Sequence, residues 1–167
     1  MAEKKQVRYD VDGYEAVTTA LLALVNQFPG LEEGEEIAFS SLKEDGGIAL
    51  YPVTGAVIES EKRNVCGDVT QVCAYPFTVV YRASGLPENR KAAVKEWLDD
   101  LGRWLERRPV TLSGTAHRLE SYPPLTEGRR VLSIFRQTPA FLNETYENKS
   151  EDWVISLSLR YQNEFEE

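Results

Sequence analysis

The side chains able to do chemistry in this chain are few and scattered. One histidine, His117, sits in the segment Gly114-Thr-Ala-His-Arg. A triad or a Cys–His dyad needs it held against a nucleophile and a third orienting group, and nothing local supplies either. Cys66 and Cys73 have no Cys-x-x-Cys spacing and no neighbouring histidine, so the donors of a zinc site are missing. Two strand cysteines can face each other across a hairpin, but free, buried, inert thiols are expected in a reducing cytoplasm. Glu32, Glu33, Glu35 and Glu36 lack the spaced oxygen ligands of a calcium loop and read as a solvated acidic connector. Asp99 and Asp100 are adjacent on a helix, so they point about 100° apart and do not form a facing carboxylate pair. Arg103, Arg107 and Arg108 fall at a helix C-terminus, where positive charge offsets the macrodipole. No aromatic platform for stacked bases accompanies them. The patterns Gly-x-Ser-x-Gly, Gly-x-Gly-x-x-Gly and Gly-x-x-x-x-Gly-Lys are absent. No catalytic residue, cofactor or metal is expected. The chain reads as a structural or interaction protein, not an enzyme.

The bulk composition sets the frame for that reading. The 167 residues carry 27 Asp and Glu against 19 Lys and Arg, a net charge of −8. That balance argues against tight, sequence-independent duplex binding, which needs many cations on phosphates. With 42% hydrophobic and 10% aromatic residues, the chain is not disordered. A chain this long buries roughly 70% of its unfolded surface, enough for one domain over 1–167 without disulfides or metal. The longest apolar run, Ala20–Val25, is far short of the ~20 residues of a membrane span. The opening MAEKKQVRYD has no apolar core of a signal peptide, so an intracellular product is expected. Asn143-Glu-Thr145 and Asn148-Lys-Ser150 then read as ordinary loop residues.

Two helices must frame whatever surface the chain presents. The first is expected over Gly13–Gln27, capped by Asp10 or Asp12, with Val17, Leu21, Leu24 and Phe28 on one stripe and Pro29-Gly30 as its stop. The second is expected over Glu88–Arg107, with Val94, Leu98, Leu101 and Leu105 widened by Trp97 and Trp104. An Asp99–Arg103 pair is placed on its polar side. Between them lie strand signals at Ile37–Phe39, Ile48–Tyr51, Ala56–Glu61 and Val69–Arg82, with a polar bend at Lys62–Asn64. Cys73, Tyr75, Phe77, Val79 and Tyr81 share one face, and Pro76 points to an edge position or a bulge. Further strands are expected at Val110–Leu112, Val131–Arg136 and Trp153–Tyr161, with loops at Ser121–Arg129 and Thr138–Asp152. No period of 20–50 residues repeats. The order predicts an α+β fold with a mostly antiparallel β-sheet flanked by two main helices.

Six blocks carry a resemblance: GAVIE at Gly55–Glu59, VTQVCAYPFTVVYR at Val69–Arg82, ENRKAAVKEWLDDLGRWLE at Glu88–Glu106, YPPLT at Tyr122–Thr126, RQTPAFL at Arg136–Leu142 and RYQNEF at Arg160–Phe165. As a set they resemble small phage and prophage structural proteins of the minor capsid or tail terminator kind. The first third of the chain contributes nothing to the match. The resemblance implies a virion protein, assembled in the host cytoplasm, that caps the tail tube as a homo-oligomeric ring, usually a hexamer. Its implied partners are further copies of itself, the tail tube protein and the head-tail connector protein, with DNA passing through the lumen without tight binding. A head-completion or connector protein on the portal side is the alternative. Some such relatives carry a chloramphenicol-resistance label, but the acetyltransferase signature His-x-x-x-Asp-Gly is missing, since His117 is followed by Arg-Leu-Glu-Ser.

A ring needs two different, complementary patches on each subunit. Length and polarity beside strong strand signals single out Val53–Asp68 and Thr138–Asp152. Thr54, Glu59, Glu61, Lys62, Arg63, Phe141, Asn143, Tyr146 and Asn148 are the contact residues these segments supply. The plainer alternative makes both segments surface loops. The acidic surplus predicts a neutral or acidic lumen with Lys and Arg directed to partner faces.

Overall fold

The structure is a computed structural model that describes residues 6–126 and 128–167. The charged start at 1–5 and position 127 of the Ser121–Arg129 loop lie outside the described residues. In chain order the elements are α1 (Val11–Val25), β1 (Ile37–Phe39), β2 (Gly47–Pro52), β3 (Val57–Arg63), β4 (Asp68–Ser84), α2 (Glu88–Leu105), β5 (Val110–Leu112), β6 (Thr115–His117), β7 (Arg129–Arg136), β8 (Phe141–Thr145) and β9 (Ser150–Glu166). The fold is α+β, with a mostly antiparallel sheet and two helices among the described residues.

Local chemistry sets the helix ends. Asp10 caps α1, its Oδ1 accepting the Gly13 N–H at 3.1 Å. The helix stops at Val25, two residues before the expected Gln27, because the Asn26 side chain takes over. Asn26 donates to the carbonyls of Leu22 and Ile37 and accepts the Ile37 N–H, tying the helix end to β1. Helix α2 starts after Pro87, whose missing N–H costs nothing at a helix start, and ends at Leu105, short of the expected Arg107. Arg107 already has a left-handed φ of 62°. The expected Asp99–Arg103 pair is not formed. Asp99 is buried, takes Lys95 Nζ at 2.7 Å and accepts the Ala140 N–H at 2.9 Å, while Arg103 turns to Asp100. A carboxylate read as solvated satisfies an amide between β7 and β8.

The strand readings need two corrections. Lys62 and Arg63 belong to β3, opposite Thr70 and Val69; the bend lies at residues 64–67, where Asn64 Oδ1 accepts the N–H groups of Cys66 and Asp68. Thr138–Asp152 is not a loop: it holds β8, a tight turn and the start of β9. The segment around His117, to which no element was assigned from sequence, holds β6, a two-stranded hairpin with β5.

The seven-stranded sheet is built on β4 and β9, which pair antiparallel over 17 positions, from Asp68↔Glu166 to Ser84↔Ser150. The free edge of β4 is shared by β3 and β2, and the free edge of β9 by β8 and β7. Pro76 pairs with Ser158 at the midpoint, an offset of 82 residues, and that offset relates one half of the sheet to the other. It carries β2 onto β7, β3 onto β8, β4 onto β9 and the turn 64–67 onto 146–149, and it overlays most of α1 on α2. Even the turn bonds repeat: Gly67 N–H to the Asn64 carbonyl at 3.2 Å, and Lys149 N–H to the Tyr146 carbonyl at 3.0 Å. The repeat is too long for a solenoid period and shares almost no residue identities.

Pro76 therefore sits in a central strand, not an edge. Its carbonyl accepts the Val53 N–H at 3.0 Å, in the break between β2 and β3. No strand residue there asks for the N–H that proline lacks.

Both helices cover one face. Cys73, Tyr75, Phe77 and Val79 of β4 and Ile155, Leu157, Leu159 and Tyr161 of β9 are buried in one cluster with Val17, Leu21, Leu98 and Leu101. Each such side chain contributes about 1.5–3 kcal/mol on burial. Phe28 packs edge-to-face against Trp97 and tilted against Trp104, ring centroids 5.4 and 5.5 Å away, and ties the segment after α1 to α2. The other face of β4, Thr70 to Arg82 in alternation, is half-exposed and carries no helix among the described residues.

Candidate functional site

The two segments expected to make contacts are the same structural element seen twice. Each is an outer strand, β3 or β8, joined by a four-residue turn to one of the 17-residue strands. They stand at diagonally opposite corners, because β3 flanks the N-terminal half of β4 and β8 flanks the N-terminal half of β9.

At the first corner the start of β3 is covered: Ile58 N–H donates to the Arg8 carbonyl at 2.9 Å and Asp10 N–H to the Ala56 carbonyl at 2.8 Å. Beyond Ile58 the outer edge meets no other strand among the described residues. Glu59 pairs with Arg160 across the sheet at 2.9 Å. Glu61 accepts Gln71 Nε2 at 2.8 Å with Arg8 and Arg63 close by, and the Gln71 bond first, then those cations, hold its carboxyl below the usual value. Arg63 also meets Glu167. Lys62 is exposed and enters no ion pair among the described residues. Thr54 stands apart, on the connection between β2 and β3. It lines an open hollow of about 450 Å³ with Tyr9, Val11, Tyr14 and Val53.

At the second corner, all five residues of β8 are exposed, Phe141 and Asn143 among them. Tyr146 and Asn148 occupy the turn and close it down on the loop before β2. Asn148 Nδ2 reaches the Glu44 carbonyl at 3.5 Å, and Ser150 Oγ reaches the same carbonyl at 3.3 Å. Tyr146 donates to Asp152 Oδ2 at 2.7 Å, and the Arg82 guanidinium lies 5.0 Å from its ring centre.

The anchor of this corner is a pair that sequence reasoning passed over. Arg82 binds Asp152 with both arms of its fork, Nε to Oδ1 at 2.7 Å and Nη2 to Oδ2 at 2.9 Å. Burial pushes the Asp152 carboxyl up, and the bonds from Arg82 and Tyr146 outweigh it, so its pKa ends below the usual 3.8. The bond to Asp152, above all, raises the Tyr146 hydroxyl. The available signal was Arg82 on the polar face at the end of an alternating strand, but its partner fell in a segment read as loop.

A second buried knot lies at the other end of the sheet. Asp10 accepts Arg129 Nε and Nη2 at 3.0 and 2.9 Å and the Tyr161 hydroxyl at 2.7 Å. Burial raises the Asp10 carboxyl, and these donors together with the Gly13 N–H bring it below 3.8. The knot fastens the start of α1 to β7 and β9.

The remaining candidates stay apart. His117 lies on β6 opposite Val110. Both cysteines are free and Cys73 is buried in the core, but Cys66, expected to be buried, is exposed because it falls in the β3–β4 turn and not on a strand. Among the described residues, no three His, Cys, Asp or Glu side chains gather as metal ligands. No described helix is long and apolar enough to cross a membrane. No protein-family model matches the chain, and no curated protein matches it at a significant level.

Proposed function

We propose that this chain is a phage structural protein, a tail terminator that caps the tail tube as a ring, stops its polymerisation and joins it to the head connector. The observation that carries the ring is the pair of exposed hairpins at opposite corners of the sheet. Closed rings need two patches on each subunit that differ and fit each other, and closure removes the free edges. The tail-terminator assignment itself rests on the six sequence blocks that resemble that family. The alternative within the same reading is a head-completion or connector protein on the portal side.

In this role no side chain performs a reaction. The ring matches the tube on one face and withholds the edge that a further tube ring would join. DNA crosses a lining that is neutral or acidic, which does not hold phosphate. Duplex retained on the purified ring at physiological salt would contradict that lining.

The test is to add the purified chain to growing tail tubes and image them, with the chain labelled. Tubes capped at one end and arrested in length support the assignment. Label on the portal, with tubes of unrestrained length, gives the head-completion alternative. Label on neither rejects both.

A further inference from the structure

The two outer hairpins repeat one backbone yet carry opposite charges at one matched position. Lys62 and Glu144 are separated by the 82 residues that relate the two halves. Lys62 pairs in register with Thr70 and Glu144 with Asp152, so both side chains project from the face of the sheet without helices. Both are exposed, and Glu144, like Lys62, enters no ion pair among the described residues.

The edge that carries Glu144 is also unusually open. Phe141 and Leu142, on opposite faces of β8, are 40% and 42% exposed, and no Lys or Pro stands between Ala140 and Asn148. Monomeric proteins blunt such edges with lysine, proline or a covering segment. Here the blunting device is one bulge, at Leu142/Glu144.

We propose that β8 of one copy pairs antiparallel with the outer edge of β3 of the next, with Glu144 facing Lys62. The proposal rests on the ring reading above and names its interface. Charge selects the pairing. Joining β3 to β3 sets Lys62 against Lys62, and joining β8 to β8 sets Glu144 against Glu144. Only the mixed pairing opposes unlike charges, so the same side chains that attract also reject the symmetric dimers. Geometry agrees. The chain's internal pseudo-dyad and a second dyad between copies, both normal to the sheet, combine into a step along it. Every copy then points the same way, with its helices on the same face. The right-handed twist of the strands turns each step into a rotation, and a head-to-tail series that rotates can close.

The test is a charge swap read by native mass spectrometry on the full chain. Lys62→Glu and Glu144→Lys, each alone, set like charges across every interface and are expected to weaken association about tenfold or more. The double variant restores it. Both sites are exposed, and circular dichroism checks that each variant keeps its fold. As a second readout, Lys62→Cys with Glu144→Cys in a Cys66→Ser background is expected to give disulfide-linked multimers on oxidation. Oligomers that ignore both single reversals and yield no linked multimers overturn the edge pairing and leave the ring reading standing. A wild-type chain that stays monomeric at millimolar concentration overturns the ring reading and the pairing together.

Discussion

Pro76 and Ser158 face each other at the midpoint of β4 and β9, eight positions from either end of the pair. Around that point the chain is built twice: an outer strand broken in two, a four-residue turn, and a 17-residue strand. The consequence is a sheet with two equivalent outer corners, one of which carries Lys62 and the other Glu144.

The break opposite Pro76 is tolerant, and the next such position is not. Pro76→Ala is expected to change stability by less than about 1 kcal/mol, because no ladder bond depends on that nitrogen. Thr78→Pro removes an N–H facing Tyr51 on β2 and is expected to cost about 2–3 kcal/mol. Urea unfolding of both variants reads the difference.

The Arg82–Asp152 pair holds the second corner. Asp152→Ala leaves a largely buried guanidinium without its partner and is expected to destabilise by about 3 kcal/mol. Tyr146→Phe removes one hydroxyl from Asp152 and is expected to cost about 1 kcal/mol. Thermal melts at neutral pH measure both.

Acid should unfold the chain through its depressed carboxylates, Glu61 and above all the three buried ones. Asp10, Asp99 and Asp152 all titrate below their usual 3.8 in the folded chain. A carboxyl depressed on folding contributes stability that is fully present above its unfolded value and fades as pH falls through the folded one. Stability is therefore expected to hold above about pH 5 and to drop steeply below pH 4. Replacing Asp10 by Asn should flatten that slope in urea titrations run across this range.

The two thiols should differ sharply in reactivity. Burial, partly countered by a hydrogen bond with Tyr161, pushes the Cys73 thiol up to about 11, and the thiolate is the reactive form. Cys66 is exposed. Native chain is expected to take one maleimide, at Cys66, and a second only once unfolded, as intact mass will read.

How much of this was legible depends on where each residue points. The helix stripes and the core face of β4 show in the sequence because burial on one side imposes a period: Val17, Leu21 and Leu24, or Cys73, Tyr75 and Phe77, are all buried. Strand β8 leaves no such trace. Every residue in it is exposed, so Phe-Leu-Asn-Glu-Thr carries no alternation and reads as loop. Asp99 misleads for the opposite reason, since a carboxylate on a helix looks solvated until the Ala140 amide arrives from 41 residues away. The 82-residue repeat is silent in the sequence because the halves share strand pairing and, along β4 and β9, burial, but not residue types: Tyr75 matches Leu157, and Phe77 matches Leu159. Off those strands even burial departs, buried Leu50 matching exposed Leu132. Eight of the nine contact residues named from sequence fall on the two corner hairpins and Thr54 stands apart from them, whereas Arg82 and Asp152, which brace one hairpin, were missed.

Native mass spectrometry of the wild-type chain over a wide concentration range tests the central claim most directly. The account predicts a single discrete closed species, six copies under the proposed tail-terminator reading, with no intermediate ladder once assembly is complete. A chain found only as monomer, or as a symmetric dimer that never grows, would contradict it.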